Sequence, residues 1–502
     1  MNRARLDRSP QKLLEDALAI WTAGVRAVNG FRLVTEQLKI DDHWLGLPDA
    51  DLWMDLKSAR RVFVAGAGKA AAAMAQGAAQ VLSEFPSDRL EGHVQIPEEA
   101  NFDREVDTFR APFDCRPAFA ALDPLEIPPP WLQLHRVRPA GANLVTATTV
   151  ERTHQLIRKV RELGPDDICV FLLSGGASAL LSAPIPGLTY EDKNQITRFL
   201  SSVGAPIEDI NAVRSALSQV KAGGFARGCR AGHLLTLVIS DVLGDPLSSI
   251  GSGPTFADGL QPLERANRAL DVLHVYDPQR QFIRKRVYES LEHYRRINPP
   301  SEFVPPGVQS DLVVLGNTAT AVDAAGIEAE RRGYSHAMHV QPPGKPELGG
   351  HAPTAEAEGR QWAELLSQMN RQPGPDCLIT GGESLVDLSG STPESRGGRN
   401  QHLALAALSC WTNSANADWA RDEICFISGG TDGEDGSTSV AGACLTGEVP
   451  GQRSQRQLAP QHFLETKNSY EFFRQAGGLL ITGNTRTNVC DLRVGVVKQA
   501  PT

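Results

Sequence analysis

The sequence has few of the features that mark membrane, extracellular or nucleic-acid-binding proteins. No apolar stretch among its 502 residues approaches the ~20 residues of a membrane-spanning helix. Its eight cysteines form no C-x-x-C pair, and several stand inside apolar runs, which favours buried, reduced thiols. The formal net charge of −9 disfavours nucleic acid, because binding to the phosphate backbone needs a basic face. We therefore expect a cytoplasmic protein with no membrane and no nucleic-acid partner.

Short repeats and long low-complexity blocks are absent as well. With 41% hydrophobic and 22% charged residues, the composition is that of a globular protein. A chain of 502 residues exceeds one ordinary core. The alternation of apolar runs with helical patterns predicts three parts. They are an N-terminal Rossmann-like α/β domain at 1–260, a helical connection with a Pro-rich linker at 261–310, and a C-terminal α/β domain at 311–502.

Seven short apolar runs each stop at a loop rich in Gly, Ser, Thr and Asp. The runs are 62–65, 170–173, 234–239, 313–315, 377–379, 424–427 and 479–481. Buried parallel strands have continuous apolar runs, and open α/β sheets bind ligands just past the carboxyl ends of their strands. Glycine there lets backbone amides approach a phosphate or carboxylate. The pattern predicts an α/β fold with two lobes, each a mainly parallel sheet with helices on both faces, and an active-site cleft between them that takes anions.

The first of these loops, Gly66-Ala67-Gly68-Lys69, joins a strand to a helix. The ammonium of Lys69 beside a glycine turn provides a point charge for phosphate or carboxylate. The loop also fits the dinucleotide fingerprint, although Glu84 matches the expected acid only by its distance along the chain. Its spacing excludes a Walker A loop. A phosphate loop, a nicotinamide loop and a tight turn with a solvated lysine all remain open.

The second loop, Ser174-Gly175-Gly176-Ala177-Ser178, exposes consecutive amides at a helix start. Ser178 either caps that helix or bonds a ligand. The loop lacks the G-x-S-x-G pattern of a serine hydrolase. Together with Gly66 and Gly68, we assign Ser174, Gly175, Gly176 and Ser178 to substrate or phosphate binding.

A set of polar and cationic residues further along the chain has the spacing of one face of a helix. Asn211, Arg214, Ser218 and Lys221 are three or four residues apart, which predicts that they share one helix face. Such a face is either a solvated stripe or the wall of an anion site. We assign Arg214 and Lys221 to the substrate carboxylate.

Two carboxylates follow the third run. Asp241 and Asp245 stand at the end of a strand, where one or two carboxylates together with substrate phosphates hold Mg²⁺. Asp241 could instead act as the base on a substrate hydroxyl. Both could also be ordinary turn residues.

A pair of arginines flanks a double glycine before a helix expected to begin near His402. Arg396 and Arg399 suit bidentate binding of a phosphate or carboxylate. The acidic loop at 428–436 lacks the terminal Glu of an EF-hand, and either coordinates magnesium, shapes a nucleotide pocket or forms a surface turn. The residues assigned to nucleotide binding are Gly316, Asn317, Gly381, Gly382, Glu383, Thr431 and Asp432.

Eight motifs in order carry a family likeness. They are Gly-x-Gly-Lys-Ala, Ser-Gly-Gly-Ala-Ser, Asn-x-Val-Arg-x-x-Leu-Ser-x-x-Lys, Ser-Asp-Val-x-Gly-Asp, Ser-Gly-Pro-Thr, Thr-Gly-Gly-Glu, Gly-Gly-Arg-Asn-Gln and Gly-Thr-Asp-Gly-x-Asp-Gly. In this set the chain resembles the glycerate 2-kinases with a C-terminal MOFRL domain. The resemblance implies transfer of the γ-phosphoryl group of ATP to the 2-hydroxyl of D-glycerate or a similar small hydroxy acid, with Mg²⁺ or another divalent cation. It also implies that Lys69 and Arg399 are important for activity, with Arg396 a close second. Asp241 completes our catalytic assignment, as the candidate base on the substrate hydroxyl.

Two loops depart from the family pattern, at 435–439 and at 483–488, where Arg486 stands in place of a usual Gly. These are the places where we expect this protein to differ from its relatives. A hydroxypyruvate reductase that uses NAD(P) and a non-catalytic ligand-binding homologue are the alternatives. A homodimer is left open.

Overall fold

The protein comprises two compact units. The computed structural model describes residues 8–98, 113–120, 127–139, 145–256, 259–297, 305, 307–341, 353–413, 423–447, 449 and 458–499. One unit comprises Leu33–Glu98 and Leu125–Leu315 and is called the Lys69 unit. The other comprises Met1–Arg32, Glu99–Pro124 and Gly316–Thr502 and is called the Arg399 unit.

The described residues contain sixteen strands. They are β1 Lys39–Asp41, β2 Trp44–Leu47, β3 Leu52–Asp55, β4 Arg61–Ala67, β5 Leu90–Pro97, β6 Phe113–Asp114, β7 Leu132–Arg138, β8 Asp167–Ser174, β9 His233–Ile239, β10 Gln309–Gly316, β11 His336–Val340, β12 Cys377–Gly382, β13 Ile424–Gly430, β14 Gly442–Leu445, β15 Leu479–Ile481 and β16 Asp491–Val497. All seven apolar runs lie within these strands, which confirms the prediction that each run forms a strand.

Sixteen α-helices accompany them in the same residues. They are α1 Pro10–Ala27, α2 Gly30–Gln37, α3 Ala71–Val81, α4 Arg116–Ala120, α5 Ala147–Arg161, α6 Ala177–Leu180, α7 Tyr190–Ser202, α8 Ile207–Ala216, α9 Gly224–Gly228, α10 Pro262–Tyr276, α11 Lys285–Ile297, α12 Thr318–Arg331, α13 Ala355–Arg371, α14 Arg399–Asn413, α15 Pro460–Glu465 and α16 Ser469–Ala476. None of these helices is both long and apolar enough to cross a membrane.

The Lys69 unit is built on a six-stranded sheet of order β10-β9-β8-β4-β5-β7. It also contains a small three-stranded sheet of order β1-β2-β3, which precedes β4 in the sequence. The pairs β4–β5, β4–β8, β5–β7 and β8–β9 are parallel. Numbered from β4, this is the strand order 3-2-1-4-5-6 of a doubly wound dinucleotide-binding fold. Its topological switch point lies between β4 and β8, so a ligand site is expected at their carboxyl ends.

Helices pack on both faces of this sheet. On one face Phe63 and Phe171 join a core with Leu156 and Val160 of α5. On the other face lies α3, whose alanine-rich segment buries nine of its residues. Small side chains allow such a helix to approach the sheet closely.

The Arg399 unit is built on a seven-stranded sheet of order β11-β12-β16-β13-β14-β15-β6. Its strands alternate between two cores. Ile424 and Phe426 face α13 and α14, whereas Cys425 and Ile427 face α1 and α12. The α/β class with helices on both faces of the sheets is therefore confirmed.

Strand direction in this second sheet corrects the expectation of a mainly parallel sheet. The pairs β11–β12 and β15–β6 are parallel, but β12–β16, β13–β16, β13–β14 and β14–β15 are antiparallel. A strand that is buried on both faces reads as an apolar run in either direction, so the run itself carries no information on direction.

Several boundaries also differ from the sequence-based expectation. Apolar residues at helical spacing over 13–34 predict a single helix, but the chain is divided at Asn29, whose Oδ1 accepts the Arg32 N–H at 3.1 Å. The helical stretch over 260–296 is two helices, α10 and α11, and belongs to the Lys69 unit. Most of the Pro-rich segment at 298–307 lies outside the described residues. Residues 1–32 belong with the Arg399 unit, so this compact unit is not continuous in sequence. The predicted division into domains at 1–260, 261–310 and 311–502 stays a prediction.

Candidate active site

The loops that follow β4 and β8 are joined by hydrogen bonds at the switch point. The Lys69 N–H donates to the Gly175 carbonyl at 2.8 Å, and the Ala70 N–H donates to Ser174 Oγ at 3.0 Å. Ser174 is fully buried. Its hydroxyl therefore holds the Lys69 loop in place. The role predicted for Ser174 was instead a contact with substrate or phosphate.

Two glycines allow the loops to come this close. Gly68 has a φ of 145°, and a Cβ there would lie 2.0 Å from Ser174 Oγ. Gly176 has a φ of 80°, and its Cβ would lie 3.3 Å from Lys69 Cγ. The stem of Lys69 thus lies against Gly176. A Cβ at Gly66 would lie 2.5 Å from the Leu172 carbonyl oxygen, so the strand itself also needs glycine there.

A cluster of cations and hydroxyls lies next to these loops, and we call it the cation cluster. Lys221 Nζ donates to Ser178 Oγ and, at 2.8 Å, to Ser252 Oγ. The two hydroxyl oxygens are 2.6 Å apart. Arg214 Nη2 donates to Ser178 Oγ at 3.3 Å. The structure therefore brings three predicted residues together and adds Ser252.

Lys193 is a further member that the sequence analysis missed. Its Nζ donates to Ser182 Oγ at 3.0 Å, and it is only 5% exposed. Lys193, Ile196 and Leu200 are buried on the same stripe of α7. A lysine at an apolar position of an amphipathic helix is the signal that could have found it. Buried Arg138, at the end of β7, is a second omission, since its Nη2 would lie 3.5 Å from a Cβ at Gly176.

The positive charge of this cluster has no carboxylate counterion among the described residues. In the part of the chain that the structure describes, Lys193, Arg214 and Lys221 form no ion pair with an aspartate or glutamate. Burial, with Arg214 nearby, lowers the pKa of Lys193 to about 7. Burial, with Arg214 and Lys193, also holds the pKa of Lys221 well below its usual value. Buried charges are ordinarily paired, so this cluster is arranged for an anion.

The geometry that unites the cluster differs from the predicted helix face. Helix α8 ends at Ala216, and Ser218 instead forms a β-bridge with Pro184. Lys221 follows in a turn in which Ala222 has a φ of 49°. The predicted single helix face is therefore wrong. Arg214 and Lys221 nevertheless meet at Ser178.

Asp241 and Asp245 follow β9 as predicted. The Asp245 N–H donates to the Val242 carbonyl at 3.0 Å, and Asp245 has a φ of 52°. A non-glycine residue in this region is strained, which is more common at functional sites than elsewhere. Among the described residues there is no group of three or more His, Cys, Asp or Glu that could hold a metal ion.

In the Arg399 unit the charges are paired with one another. Arg399 Nε and Nη2 donate to Asp491 at 2.6 and 3.0 Å, and its Nη1 donates to Glu383 at 2.6 Å. Arg493, which is 1% exposed, pairs with Glu358 at 2.9 Å and lies 3.5 Å from Asp491. We call this the paired cluster. Its carboxylates neutralise the two guanidiniums.

The helix that follows the two arginines begins at Arg399, three residues before the predicted start at His402. Its N-terminus is occupied by Asp435, whose carboxylate accepts the backbone N–H groups of Asn400 and Gln401 at 3.1 and 2.8 Å. Burial, with Asp491 nearby, raises the pKa of Asp435 to about 6. The helix start predicted to bind a ligand anion is thus capped by the protein's own carboxylate.

The residues assigned to nucleotide binding lie at several strand ends of this unit. Asn317 caps α12 through the Thr320 N–H at 3.1 Å, and a Cβ at Gly381 would lie 2.2 Å from Thr318 Cγ2. The Thr431 hydroxyl is buried and donates to the Cys490 carbonyl at 2.7 Å. Asp432 Oδ1 accepts the Glu434 N–H at 3.1 Å. The side chains of Asn317, Thr431 and Asp432 thus make hydrogen bonds that support their own loops.

The remaining assigned positions lie close by in the same unit. Gly316 ends β10, and Gly382 ends β12, where its Cβ would lie 2.3 Å from Gln341 Oε1. The guanidinium of Arg396 stacks over the Tyr470 ring at 4.7 Å.

The two atypical loops are built into this unit as well. Thr438 Oγ1 donates to the Asp435 carbonyl at 2.7 Å, and Gln401 Nε2 donates to Thr438 Oγ1 at 3.0 Å. In the second loop Arg486 has a φ of 62°, the region where the family pattern has glycine. Its carbonyl accepts the Gly30 N–H at 3.1 Å.

Comparison with known proteins identifies the family. Residues 16–292 match a family described as "Domain of unknown function (DUF4147)", and residues 376–491 match the MOFRL family. A D-glycerate 2-kinase of Thermotoga maritima is 31% identical over 71% of this chain and 79% of that protein. The chain belongs to the glycerate 2-kinase family. A human glycerate kinase is 31% identical over 96% of this chain and 93% of that protein. The resemblance predicted from the ordered motifs is confirmed.

A solved structure shares the fold. The crystal structure of a glycerate kinase from Thermotoga maritima has a TM-score of 0.72 and 28% identity, and covers 97% of this chain and 100% of that chain. One further relative, from Agrobacterium vitis, carries the name "Putative hydroxypyruvate reductase" and is 33% identical over 69% of this chain and 83% of that protein. The reductase alternative is therefore taken up again below.

Proposed function

We propose that this protein is an ATP-dependent glycerate 2-kinase that phosphorylates the 2-hydroxyl of D-glycerate. The observation that carries the proposal is the cation cluster beside the Lys69 loop at the switch point. An enzyme that handles two anions needs positive charge that is not already paired. Lys193, Arg214 and Lys221 supply it in a buried setting, where charge-assisted hydrogen bonds are strong.

The residues fit the two anions in different ways. The planar guanidinium of Arg214 suits the substrate carboxylate, with Lys221 and the Ser178 hydroxyl beside it. Lys69 projects from a glycine turn past β4, the usual position of a phosphate-binding point charge in this fold. We assign Lys69 to the transferred phosphoryl group.

The chemical step consists of one bond formed and one bond broken. The 2-hydroxyl oxygen bonds to the γ-phosphorus of ATP as the bond from that phosphorus to the bridging oxygen breaks, and ADP leaves. The hydroxyl proton passes to the Asp241 carboxylate. The protein's contribution is positioning and charge neutralisation, which supply most of the rate in phosphoryl transfer.

A divalent cation belongs to this proposal. With Asp241 as the proton acceptor, Asp245 offers an oxygen ligand of the kind that Mg²⁺ prefers, and one carboxylate suffices when phosphates complete the coordination. Such an ion would neutralise charge on the phosphates. Arg399 remains our candidate for charge that develops during transfer, which requires that it exchange its pairing with Glu383 or Asp491.

A coupled ADP-release assay with D-glycerate, ATP and MgCl₂ tests the proposal. We expect turnover by the wild type, with the product identified as 2-phosphoglycerate by ³¹P NMR. Lys69→Ala, Lys221→Met and Arg399→Ala should each lose most of kcat/KM. Lys285→Ala is the matched control, because its side chain is 88% exposed and pairs only with Glu289 in the described contacts. No ADP release by the wild type, or full activity in all three variants, would refute it.

The reductase alternative rests on the strand order, which also serves dinucleotides, and on the name of one relative. Glu84, the acid at the fingerprint's distance, lies in a 3₁₀ turn at Leu82–Glu84 and not at the end of β5. Following NADH and NADPH absorbance with hydroxypyruvate separates the two activities. We expect no oxidation of either cofactor.

A further inference from the structure

A cavity in the Arg399 unit lies between helix α13 and the strands β11 and β12. Its volume is about 250 Å³, and its wall includes Gln341, Gln361, Trp362, Leu365, Leu378 and Thr380. Pockets for whole small-molecule ligands have roughly 300–1,000 Å³. This cavity is slightly smaller, so it suits one ring system of a ligand.

The position of the cavity is one at which α/β sheets bind ligands. Strands β11 and β12 are parallel, and β11 is the edge strand of its sheet. Gln341 directly follows β11, and Thr380 and Gly381 lie among the last three residues of β12. Ligands of open α/β sheets bind at the carboxyl ends of parallel strands. A ligand is therefore expected at this end of the pair.

The wall of the cavity is poor in positive charge. Among the described residues that line it there is no lysine or arginine, and its histidine, His339, is exposed. Its one carboxylate belongs to Glu358, which is paired with Arg493 at 2.9 Å. An anion buried here would lack a counterion, which is costly. In contrast to the cation cluster, this cavity therefore suits an uncharged group.

Three polar side chains of the wall have hydrogen-bonding groups that no described residue uses. Gln341 Oε1 accepts the Glu383 N–H at 2.9 Å, which orients the amide and leaves its Nε2 available. Thr380 Oγ1 is buried and has no hydrogen-bond partner. Gln361 makes no described hydrogen bond. A buried hydroxyl without a partner is unfavourable. These groups together favour a ligand that both donates and accepts hydrogen bonds.

An indole and two leucines form the apolar part of the wall. Trp362 is 3% exposed and stacks on Phe426 with the ring centroids 4.7 Å apart, which holds the indole in place. Leu365 is 37% exposed and Leu378 is partly buried. Aromatic and aliphatic side chains with a few polar groups are the usual lining of a small-molecule site. A nucleobase matches this lining, because its faces are apolar and its edge forms hydrogen bonds.

We propose that this cavity binds the adenine base of ATP, with the edge of the base hydrogen-bonded by Gln361 and Thr380. An amide side chain donates to N7 of adenine and accepts from its 6-amino group at the same time. A hydroxyl both donates and accepts, so it pairs with a ring nitrogen or with the amino group. The choice of ATP rests on the proposed function, whereas the uncharged occupant follows from the wall itself.

The cavity is also connected to Arg399 through charged contacts. Glu358 in its wall pairs with Arg493 at 2.9 Å. Arg493 lies 3.5 Å from Asp491, which accepts from Arg399 at 2.6 Å. A base in this cavity therefore lies beside the paired cluster, from which Arg399 has to be released in the proposed transfer.

Equilibrium dialysis of the full chain with radiolabelled ADP and inosine diphosphate tests the site. The two probes have the same phosphates and ribose, and they differ in the 6-amino group of the base. We expect the wild type to bind ADP about tenfold more tightly than inosine diphosphate. Gln361→Ala and Thr380→Val should each weaken ADP binding by about threefold to tenfold, because a hydrogen bond to the base is lost.

The matched control is Gln368→Ala. It removes the amide of another exposed glutamine of α13, outside the cavity, and should leave ADP binding unchanged. Thr380→Val preserves the shape of the side chain and removes a hydroxyl that has no partner in the free protein. Urea unfolding should therefore show at least wild-type stability for this variant, so that weaker binding reports a lost ligand contact.

Absence of ADP binding by the wild type, or equal ADP binding by the wild type, Gln361→Ala and Thr380→Val, would overturn the proposal. ADP release from ATP and D-glycerate, measured on the same preparations, separates this result from the proposed function. Turnover with ADP binding that neither variant changes would refute the base site and leave the kinase. ADP binding that both variants weaken, without turnover, would support the base site and refute the kinase.

Discussion

The cation cluster and the paired cluster handle buried charge in opposite ways. Around Ser178, three cations converge without a described carboxylate partner. Around Asp491, Arg399 and Arg493 are held by carboxylates on several sides. Buried unpaired charge lowers the stability of the free protein, and paired charge holds a structure together only as long as every partner is present. The first cluster is therefore built for a ligand, and the second is already satisfied by the protein.

The largest contrast is expected from Lys221→Met. Activity should fall, because an anion loses a buried charge-assisted partner, and kcat/KM for D-glycerate should drop by about a hundredfold to a thousandfold. The free protein should become more stable, by about 1–3 kcal/mol, because an unpaired buried charge is replaced by an apolar chain. Steady-state kinetics of the variant checks the fall in kcat/KM, and urea unfolding of the same sample checks the rise in the free energy of unfolding. Loss of activity together with loss of stability would contradict an unpaired cluster.

Asp491→Asn should do the reverse in the paired cluster. It leaves Arg399 and Arg493 short of a buried counterion, so we expect the free energy of unfolding to fall by about 3–5 kcal/mol. Urea unfolding measures the change. The matched control is Asp387→Asn, an exposed carboxylate of the same unit that bonds only Ser389 in the described contacts. If both variants unfold alike, the paired cluster does not stabilise the unit.

Lys193 should give the cation cluster a pH dependence. Its pKa near 7 lies below that of an unfolded lysine, so its charge is present below about pH 7 and is lost as the pH rises. We expect kcat/KM, which reports the free enzyme, to decline as the pH rises through about 7. Lys193→Met should remove this step from the profile, whereas Lys193→Arg should shift it upward. An unchanged profile in both variants would exclude Lys193 as its origin.

Asp435 should give the stability of the protein a pH dependence. Its folded pKa of about 6 exceeds the unfolded value, so the folded state binds more protons between about pH 4 and 6. The contribution of this group to stability therefore decreases as the pH rises through that window. The difference in unfolding free energy between wild type and Asp435→Asn should change between pH 4 and 7 and be flat above it. A difference that does not vary with pH would contradict the raised pKa.

The smallest effect is expected in the loop at 483–488. Arg486→Gly relieves a left-handed backbone conformation and should stabilise the protein by up to ~1 kcal/mol. Gly483→Ala, at a φ of 62° in the same loop, should destabilise it by a similar amount. Thermal unfolding should show a higher melting temperature for Arg486→Gly and a lower one for Gly483→Ala. If both variants shifted the melting temperature equally, the backbone conformation of the loop would not determine its contribution to stability.

The sequence predicted those parts of the fold in which burial is continuous. The runs at 170–173 and 424–427 became strands because both of their faces are covered. Strands β5 and β7 were missed, because His93 and Gln95 interrupt the apolar pattern. The direction of β16 could not be predicted, because pairing joins segments far apart in the chain.

The candidate site was predicted in part. The ordered motifs placed Lys69, Ser178 and Lys221 in one site, although Ser178 and Lys221 are 43 residues apart. The helix spacing invoked for Lys221 was wrong, since α8 ends at Ala216. Lys193 was missed, because its burial depends on how α7 packs. The pairing of Arg399 with Asp491 joins residues 92 apart and has no local signal.

Calorimetric binding of D-glycerate to wild type and Lys221→Met at pH 6.5 tests the central claim most directly, namely that the cation cluster holds the substrate anion. Binding should be clear in the wild type and weakened by about a hundredfold in the variant, with Lys285→Ala equal to wild type. Equal affinity of wild type and Lys221→Met for D-glycerate would contradict it.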